Sequence, residues 1–62
     1  MEMEVVLERY DTFFISFPDY TVSITLDKES GTYTAQTLEY PWCITEGDTI
    51  QAAYERLVRR LP

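Results

Sequence analysis

The chain has 62 residues, enough for a single domain that buries only about 60% of the surface its unfolded form exposes. One cysteine and no histidine exclude an internal disulfide and the usual zinc ligand sets, so we expect no metal or cofactor and a homodimer as the source of added stability. The formal net charge of −6 argues against nucleic-acid binding and favours a basic protein partner.

The first 17 residues, expected to be an added N-terminal strand or hairpin, carry two conflicting patterns. Their apolar residues recur at helical spacing, whereas their β-branched and aromatic residues favour strands. No N-cap residue precedes the helical stripe, so we predict strands over residues 4–9 and 13–17. The sequence YDT at residues 10–12 would form the turn between them.

A β-hairpin is predicted in the middle of the chain. Residues 20–26, YTVSITL, alternate apolar and hydroxyl side chains with a period of two, which indicates a half-buried strand. A polar five-residue loop follows, and Gly31 at its end can take the positive φ that closes it. Residues 32–38 then again favour extended backbone, so we expect a second strand that pairs antiparallel with the first.

The segment YPWCITEGDT, residues 40–49, joins this hairpin to a helix. Pro41 has no N–H group and holds Tyr40 in extended geometry, so the hairpin strand should stop there. We expect residues 43–45 to form one further short strand before a turn at residues 46–47.

After this junction the apolar residues change to helical spacing. They form one stripe at i, i+3, i+4, i+7 and i+11: Ile50, Ala53, Tyr54, Leu57 and Leu61. Asp48 is the predicted N-cap, with Gln51 at capping-box spacing and Thr49 as the competing cap. The whole pattern predicts an α+β fold, an antiparallel sheet of three or four strands with one C-terminal α-helix packed on one face.

Charge is distributed unevenly along the chain. Residues 1–55 hold all 11 acidic residues and two of the five basic ones, and the last seven residues hold Arg56, Arg59 and Arg60. These arginines suit the helix macrodipole and solubility, and they are the candidate phosphate-binding residues of an alternative function.

The sequence also bears on location. No apolar run approaches the roughly 18 residues of a membrane span. The N-terminus, MEMEVVLERY, carries acids where a signal peptide would carry lysine or arginine. We therefore expect a soluble cytoplasmic protein that does not associate with membranes.

The junction holds several side chains that could take part in catalysis or binding. Cys43 would need an activating histidine to act as a nucleophile, and the neighbouring acids would suppress its thiolate, so we predict a buried or semi-buried inert thiol. Glu46 and Asp48 could serve as an acid–base pair or hold a cation, but a helix N-terminus favours carboxylates for electrostatic reasons alone. Trp42 has two interpretations: exposed beside Tyr40 it would anchor an interface, and buried it would fill a small core.

An ordered pattern of glycine, aromatic, alanine, acid, proline, cysteine and Gly-Asp-Thr runs from the hairpin into the helix. The matching residues are Gly31, Tyr33, Ala35, Glu39, Pro41, Cys43, Thr45, Gly47, Asp48, Thr49 and Ala53. With this pattern, residues 20–61 resemble the core of the HicB-like antitoxin family. The chain departs from the family at Leu38, Trp42 and Ala52, where the family has proline, glycine and glutamate; the last change moves the predicted cap from Thr49 to Asp48.

The resemblance implies a non-enzymatic, antitoxin-like interaction domain that dimerises and occludes a small basic toxin that cleaves RNA. Its candidate partner-binding residues are Glu39, Trp42, Glu46 and Asp48, and its structural residues are Gly31, Pro41, Cys43, Gly47 and Asp48. Because the sequence ends at Pro62, we expect neither the family's C-terminal DNA-binding segment nor the strand that follows its helix. The alternatives are a small RNA-binding module that uses the arginine cluster, or an orphan domain of unknown function.

Overall fold

The computed structural model describes residues 9–62 and gives them an α+β fold. Its four strands form one antiparallel sheet in the order β1-β2-β3-β4: β1 is Tyr10–Ser16, β2 is Thr21–Asp27, β3 is Thr32–Thr37 and β4 is Ile44–Gly47. Helix α1, Ile50–Arg60, follows β4 and packs on one face of the sheet. The predicted fold class is confirmed, with four strands. Within the described range, no helix is long and apolar enough to cross a membrane.

The β2–β3 hairpin follows the predicted alternation. Val22 and Ile24 are fully buried, and Ile24 pairs with Ala35, which is also buried. Gly31 has a φ of 75° and donates its N–H to the carbonyl of Asp27 at 2.7 Å. A side chain at this φ would be strained, so a glycine closes the loop as expected.

The first half of β1 corrects the predicted turn. Residues 10–12 continue the strand and pair with residues 25–27 of β2. The hydroxyl oxygens of Thr12 and Thr25 lie 3.2 Å apart across the two strands, within hydrogen-bond distance. The turn prediction is wrong because these residues include neither glycine nor proline, and extended backbone gives them a partner strand. The predicted strand at residues 13–17 is confirmed for residues 13–16. Of the one predicted at residues 4–9, only residue 9 is described, and its backbone is helical, so the prediction is wrong at that residue.

An ionic clasp joins the start of β1 to the end of β2. Arg9 donates through Nε and Nη2 to the two carboxylate oxygens of Asp27, at 2.9 and 3.0 Å. Nη2 also lies 3.1 Å from the Glu29 carboxylate, and Lys28 Nζ lies 3.4 Å from Asp11 Oδ1. The hydrogen bonds from Arg9 lower the pKa of Asp27 from its usual 3.8 to about 2. Opposite charges thus fix the register of β1 at this end.

The core lies between α1 and strands β2 to β4. Its buried apolar residues are Val22, Ile24, Ala35, Cys43, Ala53 and Leu57. The backbones of α1 and β4 approach closely at Gly47, where an added Cβ would lie 2.6 Å from the backbone nitrogen of Ala53. The buried hydroxyl of Thr45 donates to the Ala53 carbonyl at 2.8 Å. Gly47 is therefore a structural glycine because the helix leaves no room for a side chain.

Helix α1 begins with a different cap from the predicted one. Thr49 is the N-cap: its backbone is extended, and its hydroxyl accepts the N–H of Ala52 at 3.0 Å. Asp48 is exposed one residue earlier, and Gln51 donates instead to Glu55 at 3.0 Å. The Asp48 prediction is wrong because the Thr49 hydroxyl satisfies an orphan N–H even without a glutamate at position 52 to complete the capping box.

The cap assignment can be tested with two alanine variants. We expect Thr49→Ala to lower the free energy of unfolding by about 1 kcal/mol, since it removes the acceptor for the Ala52 N–H. Asp48→Ala, the matched control, should lower it by about 0.5 kcal/mol or less, the size of a macrodipole contribution from an exposed acid. Urea unfolding followed by circular dichroism measures both, and a larger loss for Asp48→Ala than for Thr49→Ala would contradict the assignment.

Candidate functional site

The loop of residues 38–43, which joins β3 to β4, is held by hydrogen bonds from the end of β3. The hydroxyl of Thr37, fully buried, donates to the Tyr40 carbonyl at 3.0 Å and accepts the Tyr40 N–H at 3.2 Å. The Tyr40 carbonyl also accepts the N–H of Cys43 at 2.9 Å. One buried threonine therefore fixes the turn from both sides of Tyr40.

The Trp42 side chain extends from this loop into solvent. It is 73% exposed, and its ring meets that of Tyr40 edge-on, with centroids 5.5 Å apart. The preceding carbonyl, that of Pro41, accepts a hydrogen bond from the Gln36 side-chain amide at 2.8 Å. Trp42 does not take a positive φ, so tryptophan occupies the glycine position of the family pattern without backbone strain. Of the two interpretations of Trp42, the exposed one is observed.

Cys43 differs sharply from its neighbour in exposure. Only 6% of its surface is exposed, and its Sγ lies 3.8 Å from the carbonyl oxygen of Arg60, to which it can donate. The prediction of a buried thiol is confirmed. Its position between the sheet and the last turn of α1 closes it to substrates and gives it a packing role.

The predicted acidic residues do not form one cluster. Glu39 accepts the N–H of Thr21 at 2.9 Å, where β2 begins. Glu46 pairs with Thr34, and Asp48 is exposed beyond the end of β4. The start of β2 and the Thr34 position are roughly 13 Å apart along β3, at about 3.3 Å per residue. Glu39 is therefore the one predicted acid that lies in the same loop as Trp42.

The three C-terminal arginines meet beside β4, at the edge of the sheet. Arg56 donates through Nη1 to the Glu46 carbonyl at 2.6 Å. Arg59 and Arg60 line the same open cleft, of about 500 Å³, together with Ile44 and Glu46. The structure thus brings the alternative phosphate-binding residues together. However, Arg56 is already hydrogen-bonded to the backbone, and the acidic residue Glu46 lines the same cleft.

Sequence reasoning did not single out the apolar side chains of β1. Phe13, Phe14 and Ile15 are 48%, 65% and 36% exposed. Residues 13–16 were predicted to be a strand. A single sequence does not say which neighbours cover a strand, so it gave no signal that these side chains would be exposed. Among residues 9–62, no three cysteine or acidic side chains come together as metal ligands would.

Comparisons with protein-family models, curated proteins and solved structures gave no significant match. The likeness to HicB-like antitoxins consequently rests on the residues quoted from Gly31 to Ala53, and it stays a prediction. The loop of residues 38–43, which carries Trp42 and Glu39, is the candidate site that the geometry itself defines.

The exposure of Trp42 can be measured directly because it is the one tryptophan of the chain. We expect the native protein to emit at a wavelength close to that of free indole in water, with ready quenching by acrylamide. Unfolding in urea should shift the emission little, since the indole is already hydrated. Emission at clearly shorter wavelength, with protection from acrylamide, would show that the side chain is buried.

Proposed function

We propose that this protein is a non-enzymatic, antitoxin-like interaction domain of the cytoplasm that binds a small basic RNA-cleaving toxin and covers its RNA-binding face. The observation that carries the proposal is the large indole of Trp42, held in solvent by a hydrogen-bonded loop. Exposed tryptophans are costly to keep in water and are enriched among the residues that dominate binding energy.

The fixed loop matters because binding costs conformational entropy. Before any partner arrives, Thr37 and Gln36 bond to the backbone of Tyr40 and Pro41, just before Trp42, and the Cys43 N–H just after it bonds to the Tyr40 carbonyl. A preorganised anchor loses little freedom on binding, so more of the contact energy appears as affinity.

The charge of the chain supports a basic partner. A net charge of −6 attracts a basic protein over long range and raises its association rate at low salt. Glu39 lies in the same loop as the Trp42 anchor, and its carboxylate is oriented by the Thr21 N–H. Glu46 and Asp48 lie at the other end of β4, so their contribution is to the field around the domain.

The proposal is non-enzymatic because the groups that would activate a nucleophile are missing. The chain has no histidine, and its one thiol is buried against the helix. Of the acids that could act as a general base, Glu39 bonds at the start of β2 and Glu46 pairs with Thr34, positions roughly 13 Å apart along β3.

The proposal is tested by capture of the partner with tagged wild-type protein and with Trp42→Ala. We expect wild type to recover one small basic protein and to inhibit RNA cleavage by that protein after purification. Trp42→Ala should weaken binding by at least about 30-fold, the loss of roughly 2 kcal/mol that defines a dominant contact. Calorimetry with the purified pair measures the loss.

Two further variants distinguish the contribution of the Trp42 anchor to binding from that of the acidic charge. Leu38→Ala, in the same loop and 57% exposed, is the matched control and should bind within a few-fold of wild type. Charge reversal of Glu39, Glu46 and Asp48 together should slow association and remove its salt dependence. Full binding by Trp42→Ala, or a recovered partner that is acidic, would overturn the proposal.

A second candidate function, RNA binding, is favoured by one observation: Arg56, Arg59 and Arg60 share a cleft beside β4. Three phosphate contacts predict a slope of about −2 in log affinity against log salt for single-stranded RNA. The antitoxin-like proposal predicts no RNA affinity at any salt concentration.

A fluorescent RNA pool titrated at several salt concentrations distinguishes the two functions. Binding with that slope, lost when the three arginines are replaced by alanine, would establish the RNA-binding function. Binding that survives the triple replacement would exclude the arginine cleft as its site.

A further inference from the structure

The outer edge of β1, the edge away from β2, has a definable hydrogen-bonding pattern. The N–H of Phe17 donates to Tyr20, and the Arg9 carbonyl accepts the N–H of Lys28, both at 2.8 Å. These bonds continue the β1–β2 register at odd-numbered residues of β1. In an antiparallel ladder, bonded and non-bonded pairs alternate. The N–H and carbonyl groups of the even-numbered residues, Tyr10, Thr12, Phe14 and Ser16, therefore point outward, and no described strand lies beyond them.

The opposite edge of the sheet is protected. Strand β4 has only four residues, and Arg56 donates to the outward carbonyl of Glu46 at 2.6 Å. Short strands and charged side chains are the usual devices that block pairing at an edge. Strand β1 has seven residues, and its one charged residue, Asp11, lies near the start of the strand, which leaves residues 12–16 without a charged side chain.

Both faces of β1 also expose apolar side chains. Phe13 and Ile15 pair with buried Ile24 and Val22, so they lie on the face that carries α1, beyond the area that the helix covers. Phe14 lies on the other face and is 65% exposed. An open edge of this kind pairs readily with another strand.

On the helix side, β1 borders an apolar cleft. Ile15 and Phe17 line one side of it, and Ile50 and Tyr54 of α1 line the other. The rings of Phe17 and Tyr54 stack with centroids 5.8 Å apart. Ile50 belongs to the apolar stripe of the helix yet is 42% exposed, which shows that the apolar face of α1 extends past its own sheet.

We propose that β1 pairs antiparallel with β1 of a second copy about a twofold axis at Phe14, joining two sheets into one of eight strands. In this register Phe14 faces Phe14, and Thr12 faces Ser16 of the second copy, with about six backbone hydrogen bonds, two for each bonded pair. On the helix side Phe13 faces Ile15 of the second copy, twice by symmetry. The surface is thus complementary to itself, with apolar opposite apolar and hydroxyl opposite hydroxyl.

Asp11 selects this register over its neighbour. An axis at Phe13 would also use the outward groups, but it would place Asp11 directly opposite Ile15 of the second copy. A carboxylate paired with Lys28 would then lose solvent against an apolar side chain. With the axis at Phe14, Asp11 instead lies opposite Phe17 of the second copy, beyond the outermost bonded pair and past the end of β1, where solvent still reaches its carboxylate.

The size of the exposed apolar surface on β1 sets the expected affinity of the dimer. The exposed parts of Phe13, Phe14 and Ile15 amount to roughly 300 Å² in each copy, taking about 200 Å² for a whole side chain. Stable complexes bury about 800 Å² per partner. The dimer should therefore dissociate within the micromolar to millimolar range, and its melting temperature should rise with protein concentration.

Sedimentation equilibrium over that concentration range tests the proposal. We expect the mass to rise from 7.3 kDa toward twice that value. Phe14→Lys should raise the dissociation constant at least tenfold, because it places two like charges at the axis. Val58→Lys adds the same charge to an exposed apolar position of α1, and as the matched control it should leave the constant within threefold.

Thr12→Pro tests the backbone contribution. Its outward N–H does not bond to β2, so proline should leave the β1–β2 ladder intact while removing an intermolecular donor. We expect a native circular dichroism spectrum and loss of the dimer. If this variant does not fold, Phe14→Lys alone decides the outcome.

Disulfide trapping tests the register. Paired Phe14 positions would have Cα atoms about 5.5 Å apart, within the range a disulfide spans. Phe14→Cys should therefore cross-link on oxidation more than Phe13→Cys, with wild type as the control for buried Cys43. A wild type that stays monomeric at every concentration, a dimer indifferent to Phe14→Lys, or faster trapping by Phe13→Cys would each overturn the proposal.

Discussion

The close approach of α1 to β4 at Gly47 is the constraint on which the rest of this structure depends. Because a Cβ at that position would meet the Ala53 nitrogen at 2.6 Å, the helix can settle over the last strand only if residue 47 has no side chain. The Thr45 hydroxyl then holds the helix there through the Ala53 carbonyl. Small residues and one buried hydrogen bond thus decide where on the sheet the helix lies.

The position of the helix gives the sheet two different sides. Strands β2 to β4 lie under α1 and supply the sheet part of the buried core. Strand β1, at the far edge, keeps its register through the ladder to β2 and the Arg9–Asp27 clasp. Its apolar residues stay partly in water because a helix of 11 residues placed over β4 does not reach across the whole sheet. The position of α1 therefore explains both the buried thiol of Cys43 at one edge of the molecule and the exposed phenylalanines at the other.

Sequence patterns were sufficient to predict those elements that residues close together in the chain determine. The alternation of residues 20–26, the glycine at position 31 and the helical stripe from Ile50 to Leu61 each encode their own element, and each is observed. The turn at residues 10–12 was wrong because the competing state is a pairing with residues 25–27, which only the folded sheet supplies. The cap was displaced by one residue because Asp48 and Thr49 are both good caps, and backbone geometry chooses between neighbours of similar propensity. The exposure of Trp42 depends on hydrogen bonds from Thr37 and Gln36, whose roles no spacing rule reveals.

The hydrogen bonds of the β3–β4 loop have a consequence for sequence change at position 42. The loop is shaped by the side chains of residues 36 and 37 and by backbone groups, and none of these bonds uses the indole. The backbone at position 42 is compatible with ordinary L-residues. A different side chain could thus stand there on the same scaffold, with little penalty to folding. Such a position is one where descendants of this sequence can exchange partners while they keep the fold.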